Sequence, residues 1–334
     1  MTNSGFDKNS DNKKVNSLSN EKISNSVELP IVTFAREYER IVANEVIPAL
    51  VHYDKERRAK YRLAFLSSAF FVIVGILTLF LPHLTSSGVK LSTLSFMFAF
   101  LIWSSIKKKF ERKLKVQVMP MLMKAFPNFN WYSYSTIAEA EINCTRIFPK
   151  SFQASKSFDD AFRGQYLGVD IDISECEYRI KEGKYTKTIF DGVVVRLKMN
   201  KRFKGMTIVR PRNSYMFCED LKRLNLQEVK LEDIDFCKKY RVFSNDQIES
   251  RYLLTTSFID RFNNMNLNFS ANSAFCAFCN EYVYIAPVTS VDLFSLFSLN
   301  KSVTNREQFD VMFRQIFSIL ELVDHFKLDR KIGL

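Results

Sequence analysis

Two uncharged apolar runs, residues 63–81 and 91–106, dominate the hydrophobic pattern of this 334-residue chain. As helices, the 19 residues of the first run and the 16 of the second would span roughly 28 Å and 24 Å. A bilayer core is about 30 Å thick, so the second run crosses it only if the flanking lysines extend to the surface. The pattern predicts a transmembrane helical hairpin over residues 63–106, and the alternative is a buried helical hairpin of a soluble protein.

Helical periodicity continues on both sides of this hairpin. Apolar residues spaced three and four apart predict an amphipathic helix over residues 29–62, which Pro48 should kink or divide. Apolar residues at steps of four, with cations between them, predict a basic juxtamembrane helix over residues 107–127. Both segments should therefore be helical extensions of the apolar hairpin.

The remaining sequence divides into a polar tail and a mixed domain. Residues 1–28 contain few apolar side chains and predict a disordered tail. Residues 128–334 predict an α+β domain with an antiparallel sheet, one face of which is exposed to water, and a C-terminal helix that closes the core. In the strand after Val169 the apolar positions change parity at Ser174 and Glu175, which predicts a β-bulge. A capping box, Thr304 with Glu307, predicts the start of the last helix.

The net charge of +12 would suit a nucleic-acid partner, but its distribution argues against one. Residues 52–62 and 107–124 carry nine of the twelve excess charges, and they flank the apolar hairpin. The connecting turn contains few cations, so the positive-inside rule predicts that both termini are cytoplasmic. The membrane-flanking basic residues that we expect near anionic headgroups are Arg57, Arg58, Lys60, Arg62, Lys107, Lys108, Lys109, Arg112, Lys113 and Lys115.

No combination of residues predicts a catalytic centre or a cofactor site. Cys276 and Cys279 form a closely spaced thiol pair within a strand-like apolar run, which favours two buried structural cysteines over a zinc or redox site. Asp170 and Asp172 lie two apart on a strand and offer carboxylates to a divalent cation, although solvated alternation explains them equally well. The sequence thus favours a protein that is not an enzyme and needs no cofactor.

Residues 246–252 place two acidic residues, an arginine and a tyrosine within two helical turns. One interpretation is a helix cap at Ser244 or Asp246 with an ion pair that holds the helix to the sheet. The other is an interaction surface formed by Asp246, Glu249, Arg251 and Tyr252.

The same residues carry a family resemblance. The segments 193–205, 231–233 and 243–255, and above all the run Asp-Gln-x-Glu-x-Arg-Tyr from Asp246 to Tyr252, resemble a family of bacterial membrane proteins. It is known as domain of unknown function family 3137, and its members are sometimes labelled galanin-like. The resemblance extends roughly from Phe110 to Leu328 and implies a bacterial inner-membrane protein with two membrane helices ahead of a soluble domain. It implies no activity and no site residues.

These observations lead to one main hypothesis and two alternatives. The main hypothesis is a membrane-anchored cytoplasmic module that binds or scaffolds an unidentified protein partner. The first alternative is a membrane-tethered, metal-dependent enzyme that uses acidic residues such as Asp170, Asp172, Asp246 or Glu249. The second is a domain that senses anionic lipids through residues 107–124.

Overall fold

The computed structural model describes residues 30–80, 85–126, 128–148, 153–154, 160–214, 223–289, 294 and 296–328. The predicted tail, residues 1–28, lies outside them. The described helices, with short π-helical and 3-10 segments, are α1 (Pro30–Ile41), a π-helical turn (Val42–Val46), α2 (Ile47–Leu79), α3 (Thr85–Leu122), a 3-10 turn (Met123–Ala125), α4 (Glu139–Thr145), α5 (Ile234–Lys239), α6 (Gln247–Leu253), α7 (Thr256–Asn268) and α8 (Arg306–Leu328). The described strands are β1 (Phe129–Tyr132), β2 (Gln153–Ala154), β3 (Ala161–Tyr166), β4 (Val169–Glu182), β5 (Tyr185–Lys198), β6 (Thr207–Pro211), β7 (Gln227–Val229), β8 (Tyr240–Ser244), β9 (Ser273–Cys279) and β10 (Tyr282–Val288).

Residues 30–80 and 85–125 form a pair of long antiparallel helices. Residues 32–79 and 88–125 are each long and apolar enough to cross a membrane, judged by length and composition. The helices run without a break through residues 62 and 106, so the predicted segment boundaries at these positions fall inside continuous helices. We call residues 63–80 and 85–106 the apolar helical pair, and residues 30–62 and 107–125 the stalk.

Pro48 lies in the first turn of α2, directly after the π-helical turn that separates α2 from α1. Proline lacks an N–H group, and its ring crowds the carbonyl four residues earlier, here that of Asn44. The π-helical turn Val42–Val46 lies directly before α2, and its wider winding accommodates this crowding. The predicted division near Pro48 thus takes the form of a local change of helix type, from α to π and back to α.

The described strands form one antiparallel sheet of ten strands. Its order is β1-β3-β4-β5-β10-β9-β6-β8-β7, with β2 paired to β4. We call the sheet and helices α4 to α8 the head. The α+β class, the antiparallel sheet and the C-terminal helix are as predicted, and α8 contributes Phe309, Ile316 and Leu320 to the core.

The prediction of one water-exposed sheet face is wrong for most of the sheet, because both faces carry buried clusters and the second face is exposed only in places, such as at Asp170. The stalk, α7 and α8 cover one face, where Ile171 and Val195 lie. On the other face, residues of α4 and the segment after it pack on Tyr178 and Phe190.

The bulge predicted at Ser174 and Glu175 is wrong for the same reason. The register of β4 and β5 is regular from Asp170 to Tyr178 and shifts only between Tyr178 and Arg179. The parity of the buried residues changes because the first part of β4 packs under the helices and the second part packs under the opposite cluster. The start of α8 also differs from the predicted capping box of Thr304 with Glu307. The helix begins at Arg306, and Glu307 N donates to Asn305 Oδ1 (3.2 Å).

The stalk and the head share a single hydrophobic core. Stalk residues such as Leu50, Leu114 and Val118 are buried in the same cluster as the sheet residues Ile171 and Val195. The stalk is therefore part of the folded domain and differs from a flexible linker.

Candidate functional site

Helix α6 begins at the most specific motif of the sequence. Asp246 is its N-cap, and the carboxylate accepts hydrogen bonds from Ile248 N (3.0 Å) and Glu249 N (2.8 Å). Such a cap satisfies N–H groups that have no partner within the helix. The predicted cap at Asp246 is therefore confirmed, and its carboxylate is used within the fold.

Glu249 binds a loop that is distant in sequence. Its two carboxylate oxygens accept hydrogen bonds from Lys204 N (2.9 Å) and Gly205 N (2.8 Å). The adjacent Asn245 Oδ1 accepts from Met206 N (2.7 Å). A Cβ atom on Gly205 would lie 2.5 Å from that oxygen, so the close approach requires glycine. Together these contacts fix the loop between β5 and β6.

The other two residues of the predicted interaction surface face solvent. Arg251 Nη1 donates to Gln247 O (3.0 Å) within its own helix, and Tyr252 is 56% exposed. The motif thus brings together two structural carboxylates and two exposed side chains. Of the four residues, Arg251 and Tyr252 are the two that present polar and aromatic surface to a partner.

Replacing Glu249 with alanine is expected to lower the free energy of unfolding by about 1–3 kcal/mol, because two backbone N–H groups lose a charged acceptor. Glu249→Gln, which keeps one acceptor oxygen, should cost less. Hydrogen exchange at Lys204 and Gly205 with chemical unfolding would measure both effects. Arg251→Ala is the matched control on the same helix and should change stability by less than about 0.5 kcal/mol. Equal effects of Glu249→Ala and Arg251→Ala would contradict the role of Glu249 in fixing the loop between β5 and β6.

The acidic residues proposed for metal binding are held by other groups. Asp172 is buried and accepts from Arg196 Nη2 (2.6 Å) and from Arg163 Nε. Asp170 is exposed and accepts from Gln165 Nε2 (3.0 Å). Across the described ranges, no group of three or more His, Cys, Asp or Glu side chains is arranged to hold a metal ion.

The predicted burial of Cys276 and Cys279 is confirmed. Both thiols are free and buried in β9. Burial raises the pKa of Cys279 to about 12 and that of Cys276 well above its usual value. Both groups therefore stay protonated and poorly nucleophilic at neutral pH.

The ten predicted membrane-flanking cations divide into two groups. Five pair with carboxylates: Arg57 and Arg58 with Asp54, Lys107 with Glu111, Lys113 with Glu56, and Lys115 with Asp160. The other five are exposed beside the apolar helical pair, and we call them the basic collar: Lys60, Arg62, Lys108, Lys109 and Arg112.

Asp54 joins the stalk to the loop before α8. Its carboxylate accepts from Arg57 Nε (2.8 Å), Arg58 Nε (3.0 Å) and Ser302 Oγ (3.2 Å). The hydrogen bond from Arg57, together with its positive charge and the bonds from Arg58 and Ser302, lowers the pKa of Asp54 to about 2. Arg57 Nη1 also donates to Leu299 O (3.0 Å). The loop is thus held to the stalk by side-chain and backbone contacts.

A second junction lies at Asp160, which is buried. Its carboxylate accepts from Trp131 Nε1 (2.7 Å) and from Lys115 Nζ, so it links α3 to strands β1 and β3. Sequence reasoning missed both junctions. Arginines three and four residues after Asp54 are a local signal of helical ion pairing, whereas no local pattern points to Asp160.

Part of the chain matches a family model, and the fold has one weak structural likeness. Residues 188–328 match the model of a family described as "Protein of unknown function (DUF3137)". The match confirms the resemblance, over a shorter range than the expected one from Phe110. No curated protein matches the chain. The crystal structure of the mycobacterial trehalose monomycolate transport factor A, TtfA, matches with 11% identity and a TM-score of 0.32, over 60% of this chain and 89% of that chain. A likeness at this score carries no argument for function.

Proposed function

Residues 188–328 match the DUF3137 family model, and we propose that the chain is a membrane-anchored binding or scaffolding protein. In this proposal the apolar helical pair crosses the bacterial inner membrane, and the head is held on the cytoplasmic side. The observation that carries the proposal is the apolar surface that the helical pair leaves uncovered.

The outward face of the helical pair consists of large apolar side chains. Leu66, Phe70 and Phe100 are 67%, 61% and 69% exposed, and only 17% of the most apolar stretch of each helix is buried. A core helix of a soluble protein would be mostly covered, and an exposed apolar surface of this size is unfavourable in water. Lipid chains are the environment in which this surface is stable.

The inward face supports the same environment. The helices meet at small residues, where Gly75 lies against Phe96 and Ser68 Oγ donates to Ala99 O (3.1 Å). Small residues and hydroxyl groups let membrane helices approach closely without a hydrophobic driving force. Near the collar, Tyr61 and Trp103 contact edge to face, as expected for aromatic residues at a membrane interface.

The distribution of cations supports the proposed orientation. The basic collar lies within about two helical turns of the apolar helical pair, on the side of the head. Cytoplasmic flanks of membrane helices carry an excess of Lys and Arg, which supports a cytoplasmic head and cytoplasmic termini. The same cations suit anionic headgroups.

A binding role fits the head better than catalysis does. The carboxylates considered for a metal site are engaged by arginines, by a glutamine amide, by backbone amides or as a cap. Exposed Arg251 and Tyr252 instead give the head a polar and aromatic surface that an unidentified protein partner could contact.

Reporter fusions test the topology. Fusions after Lys124 and after Leu334 are expected to be fluorescent with green fluorescent protein and inactive with alkaline phosphatase, and a fusion at residue 83 should show the reverse. Phosphatase activity at both outer sites would overturn the orientation. Release of the full chain from membranes by alkaline carbonate would overturn membrane insertion.

A further inference from the structure

The hairpin of β4 and β5 extends well beyond the rest of the sheet. Strand β3 pairs with β4 only as far as Ser174, and β10 pairs with β5 only as far as Gly192. Beyond these positions the short strand β2 pairs with Tyr178 and Arg179. Among the described residues, the two strands at the end of the hairpin therefore pair only with each other. We call residues 181–187 the β-tip.

The direction of the hairpin follows from two contacts of β3 with the stalk. Asp160, just before β3, contacts Lys115, and Tyr166 at its other end contacts Phe34, which stacks on Phe126. From Lys115 to Phe126 the stalk rises about 16 Å, and from Ala161 to Tyr166 the strand rises about the same. Strand β3 thus runs beside the stalk, away from the apolar helical pair. Because β4 is antiparallel to β3, it runs towards that pair.

The hairpin is long enough to reach the level of the basic collar. Glu175 N donates to Asp160 O (2.9 Å), so Glu175 lies at the level of the junction with Lys115. From Glu175 to Gly183 the strand covers about 26 Å, whereas Lys115 lies about 12 Å from Lys107 along the helix. The β-tip therefore reaches the level of Lys107 even if the strand is tilted by about 60° from the stalk.

The β-tip carries the residues that favour a membrane interface. Tyr185 is 81% exposed, and Lys181, Lys184 and Lys187 are exposed around it. Tyrosine is enriched at membrane interfaces, where its ring is partly buried and its hydroxyl group stays hydrated. Each lysine close to an anionic surface strengthens binding about fivefold.

We propose that the β-tip is a second membrane contact, in which Tyr185 enters the interface and the three lysines bind anionic lipid headgroups. The inference rests on the proposed membrane insertion of the helical pair. It assigns the β-tip to the same bilayer that the helical pair crosses, so the head is held to the membrane at two places.

Photo-crosslinking to lipid tests the inference in the full chain. Benzoylphenylalanine would replace Tyr185, Phe70 or Lys201 in the protein reconstituted into bilayers that contain phosphatidylglycerol. Phe70 is the positive control in the apolar helical pair. Lys201 is the matched control, because it is an exposed cation in the loop at the opposite end of β5. Lipid adducts are expected at positions 70 and 185 and should be far weaker at 201.

Two further comparisons distinguish the outcomes. Lys181→Glu with Lys184→Glu should reduce labelling at position 185 and leave labelling at position 70 unchanged, as should bilayers of phosphatidylcholine alone. Adducts at 70 without adducts at 185, or a protein adduct at 185, would overturn the second contact alone. Equal lipid labelling at 185 and 201 would also overturn it. Absence of adducts at 70 would overturn the membrane insertion itself.

Discussion

Replacing Asp160 with asparagine is expected to lower the free energy of unfolding by about 3–5 kcal/mol. The carboxylate of Asp160 is fully buried, and it accepts hydrogen bonds from both Lys115 Nζ and Trp131 Nε1. Removing its charge leaves the Lys115 ammonium, whose side chain is 18% exposed, without its anionic partner at the junction of stalk and head. Chemical unfolding of the full chain in detergent, monitored by near-ultraviolet circular dichroism, would measure the decrease in the free energy of unfolding.

Two variants control this prediction. Asp170→Asn changes an exposed aspartate on the neighbouring strand and should alter stability by less than about 0.5 kcal/mol. Combining Asp160→Asn with Lys115→Met removes the charge that the single variant leaves unpaired, so part of the stability should return. A small effect of Asp160→Asn, or no recovery in the double variant, would show that the ion pair does not hold the junction.

Replacing Leu114 with alanine is expected to destabilise the whole head by about 2–5 kcal/mol. Leu114 is fully buried in the core that the stalk shares with the sheet, and truncation would leave a cavity between them. If the stalk and head unfold as one unit, amide protection should fall in β5 and β10 as well as in α3. Hydrogen exchange measured on the full chain would report all three elements.

Val116→Ala is the matched control for this prediction. Val116 lies two residues further along the same helix and is 50% exposed, so its truncation removes little packing and should have a small effect. Loss of protection in α3 alone after Leu114→Ala would contradict a shared core. It would mean that the stalk and head are separate folding units.

Local patterns were sufficient to predict the long helices and part of the sheet. Steps of three and four in the apolar residues indicated the stalk helices, and the apolar run around Cys276 indicated strand β9. Pro48 indicated an interruption of the helix, and the structure shows its form, a turn of π-helical winding that avoids the conflict between proline and an α-helix.

Long-range pairing was beyond sequence reasoning. A bulge in β4 and a change in the layer that covers the strand would produce the same change of parity in the sequence. Only the position of Phe148 and its neighbours over Tyr178 decides between them. Likewise, the cap at Asp246 is a local feature, whereas Glu249 binds amides 44 and 45 residues away. No local pattern indicates which distant amides such a carboxylate will meet.

The unbroken stalk has a mechanical consequence. From Leu63 to Pro30 the chain is helical throughout, and a helix of roughly 33 residues acts as a lever about 50 Å long. In the proposed topology, a change of about 10° in the tilt of the helical pair would move the far end of this lever by about 9 Å. Bilayer thickness would thereby be converted into displacement of the far end of the head.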